Sequence, residues 1–163
     1  MRPLRALSDT EAGSVSYVIR AWLVALVPSL ALFAVRVALG NAVWIAPLPP
    51  GAAAFAGYSV AVAPFLETAL MLPLALALRS LRVASDGPRV LALAALAAMA
   101  HGFGGSAWAV AGAFWPFVVY SAALFAGLRR SPIQAYLVTT AIHMLYNGAF
   151  VLVGVAGSLL AVR

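Results

Sequence analysis

Cysteine and lysine are both absent from this 163-residue chain, and only four residues are acidic. Without cysteine there is neither a disulfide nor a thiolate metal site. Charged residues make up 9% of the sequence, against about a quarter in soluble domains. Hydrophobic residues make up 65%. A soluble core could not hide that much apolar surface, so the solvent must be lipid. All ten basic residues are arginine and the net charge is +6. They stand singly or in pairs between apolar runs, which argues against a nucleic-acid surface.

What is present is a series of long apolar runs, which predicts an all-α, polytopic membrane protein of about five transmembrane helices in one bundle. The expected spans cover about 17–40, 52–79, 88–104, 106–128 and 132–162. The chain is read as a single domain over 1–163, with a motif-bearing core at about 52–162 behind one preceding span. The first run is too long for the apolar part of a signal peptide and lacks the small-residue cleavage site, so it is expected to be retained. Asp86-Gly87-Pro88 and Ser131-Pro132 are helix-start signals. The Pro-rich stretch from Ala46 to Gly51 cannot continue a helix.

Arg2, Arg5 and Arg20 flank the first span, Arg79, Arg82 and Arg89 the second connection, and Arg129 and Arg130 the fourth. The first and third connections carry no charge. Basic residues favour the cytoplasmic side, so the N-terminus is expected inside and the C-terminus outside, in an inner or plasma membrane. Trp44 and Trp108, with Tyr17 and Trp22 at the opposite end, fit aromatic belts. Arg36 and Arg163 break the pattern, and Arg36 can snorkel outward.

Four polar residues interrupt the apolar runs: Glu67, His101, His143 and Asn147. Ionisable groups in spans are costly and usually functional. Glu67 lies 12 residues before Arg79, His101 12 after Arg89, and His143 13 after Arg130. At about 1.5 Å per residue each sits roughly 18–20 Å from one membrane face. Three segments therefore carry these groups to a common depth. His143 and Asn147, spaced i, i+4, share a helical face. Pro64 should free the carbonyl of Val60 and bend the chain just before Glu67. Thr139 and Thr140 are expected to bond back to their own helix, and Tyr120, Tyr146 and Gln134 to be structural.

A carboxylate beside an imidazole can deprotonate water, and a second His with an Asn can donate to a tetrahedral oxyanion. Peptide or ester hydrolysis follows, with no cofactor required. A His-His-Glu metal site is the alternative chemistry, although no HExxH pair is present. Interhelical glue is the bland reading of the same residues.

The order of these residues (Glu67 after Ala63-Pro64, an isolated His101 in the next span, then His143-Met-Leu-Tyr-Asn147 in the last) resembles the CPBP family of intramembrane proteases. That family, also called Abi, includes CAAX prenyl-protein endopeptidases and bacteriocin-processing or immunity proteins. The resemblance covers about 63–150. It implies that Glu67 and His101 activate water, that His143 and Asn147 form the oxyanion hole, and that the substrate is a peptide or protein in or at the bilayer. The family's EExxxR motif has Thr68 and Leu72 at its second Glu and its Arg, and its FxxxH motif has Ala97 at the Phe. These departures leave a catalytically inactive binding or immunity protein of the same fold as an alternative. A proton- or ion-linked transporter is disfavoured, because no inverted repeat is visible.

Overall fold

A computed structural model describes residues 15–40, 51–81, 85–103 and 107–161, with side chains to residue 159. Expectations concerning Arg2, Arg5, Trp44, Arg82, Gly104, Arg163 and the 46–50 stretch lie outside the described residues. Within them the chain is all-α. Helix α1 is Val15–Ala38, α2 is Ala52–Ser80, α3 is Asp86–Gly102, α4 is Ala107–Gly127 and α5 is Pro132–Ala161.

The punctuation residues act as their chemistry requires. Gly40 follows α1 with φ +70°, and its N–H bonds the carbonyl of Val37 at 3.0 Å. A positive φ at a helix C-terminus suits glycine, which has no Cβ to clash. Ser131 Oγ accepts the Gln134 N–H at 3.1 Å and so caps α5, with Pro132 at its first position. At α3, Ser85 makes no side-chain cap, and the Asp86 carboxylate turns to arginines instead.

Helices α1, α2, α4 and α5 are long and apolar enough to cross a membrane, which makes this a multi-pass membrane protein. The third expected span, about 88–104, corresponds to α3, the shortest of the five helices at 17 residues. At 1.5 Å per residue it covers about 25 Å, short of a hydrocarbon core about 30 Å thick. The backbone turns extended at Phe103, so the helix ends at Gly102 and leaves His101 in its last turn.

Helix α4 is the centre of the bundle. Residues Phe117 to Gly127 are buried almost without interruption, and α4 touches all four other helices. Small residues make the close approaches possible: Ala21 and Ala25 on α1, Ala94 and Ala98 on α3, and Ala123 on α4 are all fully buried. At the α4–α5 turn, a Cβ on Gly127 would fall 2.5 Å from Ala135 Cα and 3.0 Å from its nitrogen.

One end of the bundle is stapled by charge. Asp86 accepts from Arg129 at 2.7 Å and from Arg89 at 3.2 Å. Arg89 also donates to the carbonyl of Leu81 at 2.8 Å, and Arg79 to that of Leu128 at 2.6 Å. The hydrogen bond from Arg129, reinforced by Arg89 and opposed by partial burial, holds the Asp86 carboxyl below the usual carboxylate range.

Candidate active site

The approach to Glu67 is shaped by Pro64. Its missing N–H and its ring leave the preceding turn without a regular α-helical partner. The chain answers by widening into a π-turn over Tyr58–Val62, in which the Ala63 N–H bonds the carbonyl of Tyr58. In that i→i+5 register the next carbonyl, Ser59, faces the position of Pro64 and finds no N–H. The Asn147 side-chain amide, from α5, donates to it at 2.8 Å. The sequence expectation concerns the carbonyl of Val60; the carbonyl that Asn147 serves is that of Ser59, one residue back.

Glu67 then meets two imidazoles. Its Oε2 lies 3.5 Å from His101 Nε2, on α3, and 3.6 Å from His143 Nε2, on α5. Three helices thus bring a carboxylate and two imidazoles to one point. These separations exceed the usual 2.7–3.2 Å of a hydrogen bond, and Oε2 is buried with no hydrogen bond among the described residues. Exposure is graded: the side chains of His143, Glu67 and His101 are 5%, 28% and 40% accessible.

The tautomer of His101 follows from its other nitrogen. Nδ1 lies 3.0 Å from the carbonyl of Ala97. A carbonyl only accepts, so Nδ1 carries a proton and Nε2 is the nitrogen turned to Glu67. An unprotonated Nε2 and a carboxylate oxygen are both acceptors, so the two must share a proton to attract each other. Such a pair can take up or release one proton.

His143 sits in an aromatic sleeve. Tyr120 stacks on it at 4.3 Å between centroids and 28° between planes, and Phe117 meets it edge-on at 5.9 Å. Phe117 also lies 4.8 Å from the His101 ring. Both aromatics come from α4, and neither was singled out as a site residue from sequence. Their i, i+3 spacing just after Pro116 was the available signal. The His143 Nδ1 and the Tyr120 hydroxyl are buried without a hydrogen-bond partner among the described residues. Thr139 and Thr140 depart from expectation: their buried hydroxyls likewise make no hydrogen bond among those residues, and nothing in the structure explains why.

Thr68, beside Glu67, is fully buried, while Leu72 and Ala97 pack against the core. The places of the second Glu, the Arg and the Phe of the resembled motifs are therefore filled by side chains packed within the bundle. From Glu67 and His101 a groove of about 440 Å³ runs between α2 and α3 toward the charged end, past Leu70, Leu74, Leu93 and Leu96. Among the described residues, no group of three or more His, Cys, Asp or Glu side chains is arranged to hold a metal ion. Compared with protein-family models, curated proteins and solved structures, the chain matches none.

Proposed function

We propose that the chain is an intramembrane endopeptidase of the CPBP type, hydrolysing a peptide bond with water activated by Glu67 and His101. The observation that carries this reading is the meeting of one carboxylate oxygen with two imidazole nitrogens from separate helices at 3.5 and 3.6 Å. A pair that takes up a single proton between Oε2 and Nε2 and gives it back is suited to general base and general acid in turn. Glu67 with His101 takes a proton from water, and the water oxygen bonds to the scissile carbonyl carbon. The oxyanion that forms accepts a hydrogen bond from His143 Nε2–H. The pair then returns its proton to the amide nitrogen as the C–N bond breaks. Tyr120 and Phe117 fix the ring of His143 so that it meets the oxyanion without rearrangement. In this scheme Asn147 acts through the backbone of α2.

The peptide reaches the site from the bilayer along the groove between α2 and α3, whose walls are leucine-rich. The arginine-bearing end of the bundle faces the cytoplasm of an inner or plasma membrane, by the excess of basic residues there.

The test uses the full chain in proteoliposomes with a quenched-fluorescent peptide carrying an apolar membrane segment. Glu67→Gln is expected to reduce cleavage by about 10²-fold or more while helicity and detergent-solubilised monodispersity hold. Cleavage at the parental rate in Glu67→Gln would overturn the proposal. The Thr68, Leu72 and Ala97 departures favour a second reading, a non-catalytic binding or immunity protein of the same fold. That reading requires capture of a membrane partner to be indifferent to Glu67→Gln.

A further inference from the structure

Four prolines within the described helices, Pro28, Pro64, Pro73 and Pro116, each remove a backbone N–H, and at Pro28 and Pro64 a side chain from another helix donates to the carbonyl left facing the proline. Pro28, inside α1, removes the N–H that Val24 would receive in an α-helix; the indole Nε1 of Trp115, on α4, donates to that carbonyl at 2.8 Å. Pro64 does the same to Ser59 in the π register, and the Asn147 amide donates at 2.8 Å. In hydrocarbon no water is at hand to replace a lost partner, and an unmet backbone group costs several kcal/mol.

The second case has a consequence that the first lacks. Around Pro64 two backbone registers are open, and they differ in which carbonyl faces the proline. In a regular α-helix it is that of Val60, four residues before the proline; in a π-turn it is that of Ser59, five before. Asn147 reaches Ser59. We propose that Asn147 is a positioning residue: by serving the Ser59 carbonyl it selects the π-turn and sets the rotation of α2 that aims Glu67 at the histidines. A helix turns about 100° per residue, so losing the one extra residue of the π-turn would swing the Glu67 side chain by roughly that angle relative to the segment before it. The carboxylate would leave the face occupied by His101 and His143. The amide of Asn147 therefore stands in for the N–H of Pro64, and its effect on chemistry passes through Glu67.

The catalytic half of this inference rests on the hydrolase reading; the register half does not. A double-mutant cycle separates them. Asn147→Leu removes the donor at similar volume, and Pro64→Ala restores a backbone N–H at residue 64. The thermal midpoint in detergent is measured for the full-length parent, both single variants and the pair. The drop caused by Asn147→Leu is expected to shrink to less than half in the Pro64→Ala background, because the backbone then has its own donor. An equal drop in both backgrounds would refute the proposal. If Asn147→Leu does not fold alone, its recovery by Pro64→Ala counts in favour, and Asn147→Ser, too short to reach Ser59, runs the same cycle.

Mere stabilisation and register control are distinguished by a cross-link. The chain has no cysteine, so Glu67→Cys with His101→Cys is a clean pair for a short bis-methanethiosulfonate reagent. Cross-linking is expected with Asn147 in place and is expected to be lost in Asn147→Leu. Undiminished cross-linking in that variant overturns register control. Neither readout requires cleavage, so a protein that holds the register yet hydrolyses nothing defeats the hydrolase reading alone.

Discussion

Two carboxylates in this chain are treated in opposite ways. Asp86, at the arginine-rich end, is bound by Arg129 at 2.7 Å and Arg89 at 3.2 Å. Glu67, inside the bundle, meets two imidazole nitrogens at 3.5 and 3.6 Å, and its buried Oε2 has no hydrogen bond among the described residues. The first has its hydrogen bonds satisfied and serves as a staple between α3 and the α4–α5 turn. The second is short of hydrogen bonds in a place where that shortage is costly. A fold keeps an under-bonded acid inside an apolar bundle only if the rest of the bundle holds it there. Incomplete bonding at reacting groups and full bonding at structural ones is the pattern expected of an active site on a rigid scaffold.

The sharpest way to break this contrast is to remove a partner at each place. His143→Gln takes away the proposed oxyanion donor and is expected to lower cleavage by about 10²–10³-fold, with little change in thermal midpoint. Arg129→Gln removes one staple of Asp86, and an exposed ion pair is worth about 0–1 kcal/mol, so cleavage should stay within about fivefold. Equal losses of cleavage in the two variants would dissolve the distinction.

A smaller effect is expected from Gly127→Ala, which tests whether the charged end is held by shape as well as charge. The added methyl would meet the Ala135 backbone at 2.5 Å. Backbone cannot swing away as a flexible side chain can, so the cost should be about 1–3 kcal/mol, read as a lower midpoint in detergent. An unchanged midpoint would mean that the α4–α5 turn yields more easily than its geometry indicates.

The smallest effect concerns pH. The Asp86 carboxyl is held below its ordinary range, chiefly by the Arg129 hydrogen bond. Its contribution is therefore complete above the unfolded value of about 3.9 and is lost as pH falls through the lower folded value. The side chain is 37% accessible, so solvent screens it and the contribution should stay within about 1 kcal/mol. Asp86→Asn should flatten the acid limb of midpoint against pH below about 4; an acid limb identical to the parent's assigns it to other groups.

The helices were legible because lipid leaves the chain little choice. Every span must satisfy its own backbone, so apolar runs bounded by Gly40, Ser131-Pro132 and the arginines translate directly into helices. The juxtaposition of Glu67, His101 and His143 was legible from their distances to flanking arginines, since depth along a helix is simple arithmetic. The partner of Asn147 was not. It depends on a π-turn that shifts the bonding by one residue, and the local sequence allows two registers around Pro64. Only α5, brought alongside by tertiary contacts, decides between them. Tyr120 and Phe117 stayed hidden for a different reason: in an apolar run an aromatic that flanks a histidine reads the same as one that fills a core.

The donors that Trp115 and Asn147 lend to foreign backbones also bear on assembly. A span inserted singly would carry its bare carbonyl into oil, where no neighbour can answer it. Segments α1 and α2 are thus poor solitary tenants of the bilayer and gain most by docking on α4 and α5 respectively. Pro28 and Pro64 each write a partner's address into their own span, which favours one order of pairing among helices whose greasy surfaces would otherwise fit many ways.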